Sequence, residues 1–135
     1  MKFGFMSSVC PQMGLAALIE TGEKYGYQGL EFRPEWDHAH GIELHASAAQ
    51  RKEAAAMLSD SALEGVCLSP GTRFHHPEPA QRDAELDKLY RYIDLAAEIG
   101  IPFIRVFGDP LPITGGGRRA AQYGVLADYY GRGAE

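Results

Sequence analysis

The chain has 135 residues, room for one ordinary domain and hardly for two. Apolar residues at 45% and charged residues at 23% are close to globular usage and exclude a disordered or fibrous chain. Eighteen acidic residues against thirteen Lys plus Arg leave a net charge of −5, which argues against a nucleic-acid surface, where positive charge must cluster.

No apolar run approaches the roughly 18 residues of a membrane span, so no membrane partner is expected. The N-terminal stretch MKFGFMSSVCPQMG lacks the apolar core of a signal peptide, and a cytoplasmic chain is expected. Cys10 and Cys67 show no C-x-x-C spacing and read as two reduced thiols. Sixteen glycines and eight prolines, about 18% of the chain, suggest many turns between short elements.

In chain order, a first strand is predicted over 2–6 (KFGFM). A helix over 11–25 follows, with Pro11 in its first turn, Leu15, Leu18, Ile19 and Tyr25 on one face, and Gly26 as its cap. The second strand is GLEFR, 29–33. Ser47 with Gln50 forms a capping-box pattern ahead of a helix over 48–58, where Ala55 and Leu58 can face the sheet. The third strand is GVCLS, 65–69. The clearest helix runs over 79–99, with Leu86, Leu89, Tyr90, Ile93, Ala96 and Ala97 at helical spacing and Gly100 and Pro102 as its stop. The fourth strand is FIRVFG, 103–108. A last helix over 118–130 carries Ala121, Val125, Leu126, Tyr129 and Tyr130, after the glycine run 115–117.

Alternation of strand and helix implies a parallel sheet with right-handed crossovers. An open nucleotide-type sheet would show a Gly-rich phosphate loop after the first strand, and SSVCPQMG is not one. The later strands also alternate. Leu30, Phe32, Val66, Leu68, Ile104 and Val106 form an apolar set, and Glu31, Arg33, Cys67, Ser69 and Arg105 a polar one. Apolar residues under helices with polar residues in a lumen fit a barrel. Corresponding strand positions are about 34 residues apart, so eight units need roughly 270 residues. The expected architecture is therefore α/β, a (βα)4 half of a (βα)8 barrel, with parallel strands in the order 1-2-3-4. The chain, 1–135, is read as a single N-terminal half-barrel truncated before the fifth strand.

Three segments, GYQGLEFRPEWDH (26–38), TRFHHPEP (72–79) and AAEIGIPFIRVFGD (96–109), resemble the sugar phosphate isomerase/epimerase family. This belongs to the xylose isomerase-like barrel superfamily, which also holds the endonuclease IV type of repair enzyme. The resemblance implies a metal-dependent isomerase or epimerase for a small keto or hydroxy sugar or sugar acid. It implies a divalent metal (Mn, Mg, Zn or Co) held by Glu, Asp, His and Glu at the ends of strands five to eight. None of those ligands maps onto a residue here, so the chain alone is expected to be inactive and no residue is assigned as catalytic or metal-ligating. The alternatives are a non-catalytic module that closes a barrel by dimerisation, or an endonuclease IV-like nuclease. The free edges of a half-barrel make a homo-oligomer the expected state.

Substrate-binding candidates follow from their places. Glu31 ends the second strand on the polar face, to contact sugar hydroxyls or to pair with Arg105 or Arg33, and Arg33 on the same face is itself a substrate-binding candidate. Arg105, with Arg73, Arg118 and Arg119, has the fork geometry for an anionic substrate, and the glycine run 115–117 can cradle a phosphate or serve as a flexible link. Trp36, the one Trp, can stack on a sugar ring or cover the barrel mouth. His38, His40, His45, His75 and His76 lie in loops after strands two and three. His38 and His75 are the two taken as candidates, and in the repair-nuclease branch the resemblance gives loop histidines such as His75 a zinc. Cys67, on the polar side of strand three, is either a substrate contact or an inert thiol.

Overall fold

The structure is a computed structural model and describes residues 1–107, 110–111 and 116–134, with the side chains of Gly116 and Arg118 excepted. Two compact units make up the chain. One comprises Met1–Pro70 and Tyr92–Arg105, the other Gly71–Arg91 and Val106–Glu135.

The first unit is built on a parallel sheet of β1 (Gly4–Met6), β2 (Gly29–Phe32) and β3 (Glu64–Leu68), ordered β1-β2-β3. A single parallel bridge, Leu68 to Ile104, sets the fourth predicted segment beside β3. The order therefore runs as expected, with the fourth place held by a bridge rather than a named strand. Gly108, the last residue of that segment, lies outside the described residues. Gly4 and Gly29 are paired across β1 and β2, and a Cβ on Gly4 would sit 2.8 Å from the Gly29 carbonyl oxygen. Only glycine allows this approach.

A short 3-10 turn, Ser7–Val9, follows β1, and α1 covers Leu15–Lys24. Pro11 is thus not in the first helical turn, because Met13 N–H donates to the Cys10 carbonyl at 3.0 Å and keeps 10–13 in a turn of its own. Leu15, Leu18 and Ile19 are buried as the spacing predicts, whereas Tyr25 is 68% exposed. Helix α1 ends on the bond pair Gly26 N–H to Glu23 O and Tyr27 N–H to Gly22 O, with Gly26 at φ +74. This is a Schellman cap, and it selects glycine because the left-handed conformation costs any side chain. Helix α2, Ala48–Ser59, starts with the predicted Ser47–Gln50 capping box, and Leu58 is buried with Ala55 packed at the core edge.

Helix α3 spans Pro79–Ile99, its part from Tyr92 onward in the first unit. There Tyr92, Leu95, Ala96 and Ile99 join Leu18, Leu30, Phe32, Leu58 and Leu68 in one core. The buried stripe is rotated from the predicted one: Tyr90 is 39% exposed and Ala97 is exposed, and Tyr92 and Leu95 take their place. Several core side chains have no accessible surface, and each contributes about 1.5–3 kcal/mol by leaving water.

The predicted alternation holds for Leu30, Phe32, Leu68 and Ile104 and fails at Val66. Pairing jumps from Leu30–Gly65 to Glu31–Cys67, so Val66 is the extra residue of a bulge. Its side chain lies over Gly29, on the side of the sheet that Glu31 also faces, rather than under the helices. Val106 also stands outside that core, in the second unit.

In the second unit, α4 (Gly116–Arg132) buries Leu126 and Tyr129, while Ala121 is exposed, unlike the predicted stripe. Phe74 is fully buried and stacks on Tyr129 with ring centres 5.4 Å apart. The Tyr129 hydroxyl donates to Asp83 at 2.6 Å.

Candidate functional site

Polar side chains of the first unit gather where β2 and β3 end. Glu31, the third residue of β2, accepts from Arg105 Nε at 3.0 Å and from the Ser69 hydroxyl. The pair is part-exposed, with 26% of the Glu31 side chain and 40% of the Arg105 side chain open to solvent. Of its two candidate cations, Glu31 takes Arg105. Arg33 instead donates to the Ser69 backbone carbonyl and lies with its guanidinium carbon 3.8 Å from the Trp36 ring centre. Arg33 is 6% exposed and Trp36 60% exposed, so the indole covers a guanidinium that parity alone places on an open face.

Ser69 is the node of this cluster. It is fully buried, its N–H donates to the Phe32 carbonyl at 2.8 Å, its carbonyl receives Arg33 and its hydroxyl serves Glu31. Cys67 Sγ sits 3.7 Å from the Ser69 hydroxyl oxygen. Ser7, also fully buried, accepts the Arg33 N–H at 2.9 Å and ties the end of β1 to the end of β2. Sequence reasoning placed Ser69 in the polar set without a role and did not single out Ser7. The polar residue directly after β1 was the signal available.

The loop after β2 carries three consecutive non-glycine residues with positive φ: Glu35 at 72, Trp36 at 53 and Asp37 at 56 degrees. The Glu35 N–H donates to Glu43 Oε1 at 2.7 Å, and the Tyr92 hydroxyl donates to Glu35 Oε1 at 3.4 Å. His40 is 4% exposed. Its Nδ1 accepts the Ile42 N–H at 3.1 Å, which leaves the hydrogen on Nε2 to be donated to the Arg33 carbonyl at 2.9 Å. Burial lowers the His40 pKa below its ordinary value, opposed by the bond to Arg33 and aided by nearby His38. Burial likewise pushes the Glu43 carboxyl up, against the Glu35 N–H bond and His45, while Glu35 and Asp37 add to the rise. His38 is half-buried, its ring edge-on to His40 at 5.8 Å. Glu43 carried no signal in the sequence, since nothing there marks the turn it closes.

The structure thus brings Glu31, Arg33, Trp36, Cys67 and Arg105 into one cluster with Ser69, and sets His38 against His40. His75 belongs to the second unit, where its ring stacks on His76 at 4.9 Å. Arg73 is in that unit too, its guanidinium 5.1 Å from the Phe107 ring centre. Arg119 is exposed on α4, and the Arg118 side chain and Gly115 lie outside the described residues.

A hollow of about 710 Å³ lies at the opposite end of β3, lined by Leu58, Glu64, Ile99 and Phe103 among others. It offers one carboxylate and no cation, and we do not place the site there. Among the described residues no three His, Cys, Asp or Glu side chains converge on a point that holds a metal ion. The donors present do not fit a metal by themselves. No helix of the described residues is long and apolar enough to cross a membrane.

Comparison with solved structures extends the fold. The IOLI protein, whose crystal structure carries a binding zinc atom, superposes with a TM-score of 0.74 at 14% identity, over 98% of this chain and 47% of that one. A xylose isomerase domain protein from Planctomyces limnophilus gives 0.62 at 11% identity, over 98% of this chain and 50% of that one. The chain therefore spans about half the length of these structures. No curated protein matches it in sequence. The family described as xylose isomerase-like TIM barrel matches residues 19–132, which cover β2, β3, α2, α3, α4 and the later part of α1. The parallel sheet and its crossover helices agree with that match: the chain belongs to the xylose isomerase-like TIM barrel family.

Proposed function

We propose that this chain forms the substrate-binding wall of a sugar isomerase or epimerase. The substrate class is a small keto or hydroxy sugar or sugar acid, and the reaction a 1,2-proton shift or an epimerisation beside the carbonyl. The observation that carries this reading is the Glu31–Arg105–Ser69 cluster at the C-terminal ends of the strands, where barrel enzymes place their chemistry, with Trp36 exposed beside it. Glu31 balances the charge of Arg105. The pair sets carboxylate oxygens beside guanidinium N–H groups, the acceptor and donor types that recognition of a polyol uses. Trp36 supplies an apolar face for the C–H side of a sugar. The zinc in the IOLI protein's structure fits a metal-assisted reaction, in which the residues of this chain would bind and orient the substrate. Turnover by the 135-residue chain alone is accordingly expected to be nil.

Saturation-transfer NMR with D-fructose, D-xylulose and a 2-keto sugar acid tests this. Saturation should reach the sugar C–H protons and fall at least severalfold in Glu31→Gln and Trp36→Ala. Absence of transfer to every compound would sink the proposal.

A second reading, an assembly module that closes a barrel with another copy, is favoured by one observation. β1 is an edge strand in the order β1-β2-β3, with Phe3 55% and Val9 69% exposed beside it. Light scattering tests it, since a monomer at every concentration excludes such closure.

A further inference from the structure

We infer that Glu43 is a positioning residue for the candidate sugar site: its buried carboxylate holds the left-handed turn Glu35–Asp37 closed and so keeps Trp36 stacked on Arg33. For its ligand this rests on the proposed function; the placement of Trp36 does not.

Three successive residues with side chains in the left-handed region do not hold themselves there, because each Cβ crowds a carbonyl oxygen. The turn must be pinned from outside, and the pins are visible. At its start the Glu35 N–H is taken by Glu43 Oε1 at 2.7 Å. Beyond its end the Ala39 N–H donates to the Pro11 carbonyl at 2.8 Å, and His40 Nε2 to the Arg33 carbonyl at 2.9 Å. Glu43 is 6% exposed, so its bond to Glu35 is shielded from water, and a carboxylate makes a stronger acceptor than a neutral group.

What the turn presents is Trp36, 60% exposed yet with its ring centre 3.8 Å from the Arg33 guanidinium carbon. A ring fixed on one face by a buried cation offers its other face without first losing rotamer freedom. Such preorganisation raises affinity for whatever stacks there. Glu43 does not reach the ligand; it acts through the backbone of Glu35 and the indole that follows.

Trp36 is the one Trp in the chain, so intrinsic fluorescence reports this turn directly. The experiment compares acrylamide quenching of Trp36 and D-fructose binding in wild type, Glu43→Ala and Glu43→Gln. Glu43→Ala should raise the quenching constant about twofold and weaken D-fructose binding about tenfold, the loss expected of one shielded charge-assisted bond. Glu43→Gln keeps an acceptor oxygen without the charge and should restore a large part of both. Should Glu43→Ala fail to fold, Asp37→Gly in that background eases the left-handed strain and should recover the fold and the wild-type quenching. Wild-type quenching in Glu43→Ala, no rescue by Glu43→Gln, or no recovery on adding Asp37→Gly to an unfolded Glu43→Ala would overturn the positioning role. Altered quenching in Glu43→Ala without D-fructose binding in wild type would support the clamp and count against the sugar reading alone.

Discussion

His40 is locked as a neutral imidazole between the Ile42 N–H and the Arg33 carbonyl. Its pKa in the fold lies below the ordinary 6.5, chiefly through burial. As pH falls, the unfolded chain takes up this proton first. The stability that neutral His40 contributes is therefore complete above 6.5 and is lost as pH falls through the depressed folded value. Glu43 works in the opposite sense, since its raised pKa favours the fold at lower pH. Comparing wild type with His40→Gln, both carrying Glu43, cancels that term. Urea unfolding at pH 7.5, 6.5 and 5.5 should show wild type losing more stability than His40→Gln on acidification; parallel losses would contradict a His40 held neutral by the fold. At Glu31 the same scale separates two contacts. Arg105→Met should cost less than about 1 kcal/mol, because the ion pair is part-exposed. Glu31→Leu should cost about 1–3 kcal/mol, because it strips the fully buried Ser69 hydroxyl of its acceptor. Equal costs in urea melts would argue against Ser69 as the node.

Between strands and helices, glycine does two kinds of work. Gly26 and Gly100 sit at φ +74 and +85 after α1 and α3, with Ile101 N–H reaching the Ala96 carbonyl at 2.8 Å to complete the second cap. Gly26→Ala should cost about 1 kcal/mol through backbone conformation alone, since a Cβ there meets nothing within 4 Å. Gly22→Ala should cost about 1–3 kcal/mol by overpacking, since a Cβ there would overlap Leu63 and press on Phe5. Trimming the obstacle separates them: Leu63→Ala should recover part of the Gly22→Ala loss in thermal melts and none of the Gly26→Ala loss. These caps, like the Ser47–Gln50 box, were legible in the sequence because each depends on a residue type at a fixed offset from a helix end. Strand parity likewise put Glu31 and Arg105 on one face, where they pair. Legibility stopped where pairing between segments decides the outcome. The bulge at Val66 depends on how β3 meets β2. Adjacent helical stripes on α3 differ only by rotation, so periodicity did not distinguish Tyr92 from Ile93. The left-handed turn at Glu35–Asp37 has no glycine or asparagine to announce it, which hid the role of Glu43.

Across the molecule, Glu31, Glu43 and His40 are each directed at partners within the chain rather than at a common point. Glu31 serves Arg105 and Ser69, Glu43 the Glu35 N–H, and His40 the Arg33 carbonyl and Ile42 N–H. Recruiting any of them to a metal would break a bond that holds a strand end or the Trp36 turn. This gives the absence of a three-donor cluster among the described residues a measurable consequence. A site with micromolar affinity would, at 100 µM metal, stabilise the fold by about 2.7 kcal/mol. In a chain of this size that raises Tm by roughly 10 °C. Adding Mn2+ or Zn2+ to the 135-residue chain should instead move Tm by less than about 1 °C, below what binding at even the metal concentration would produce. A rise of more than about 5 °C, lost in Glu31→Gln or Glu43→Gln, would show that these carboxylates leave their present partners for an ion and would make this wall part of a metal centre.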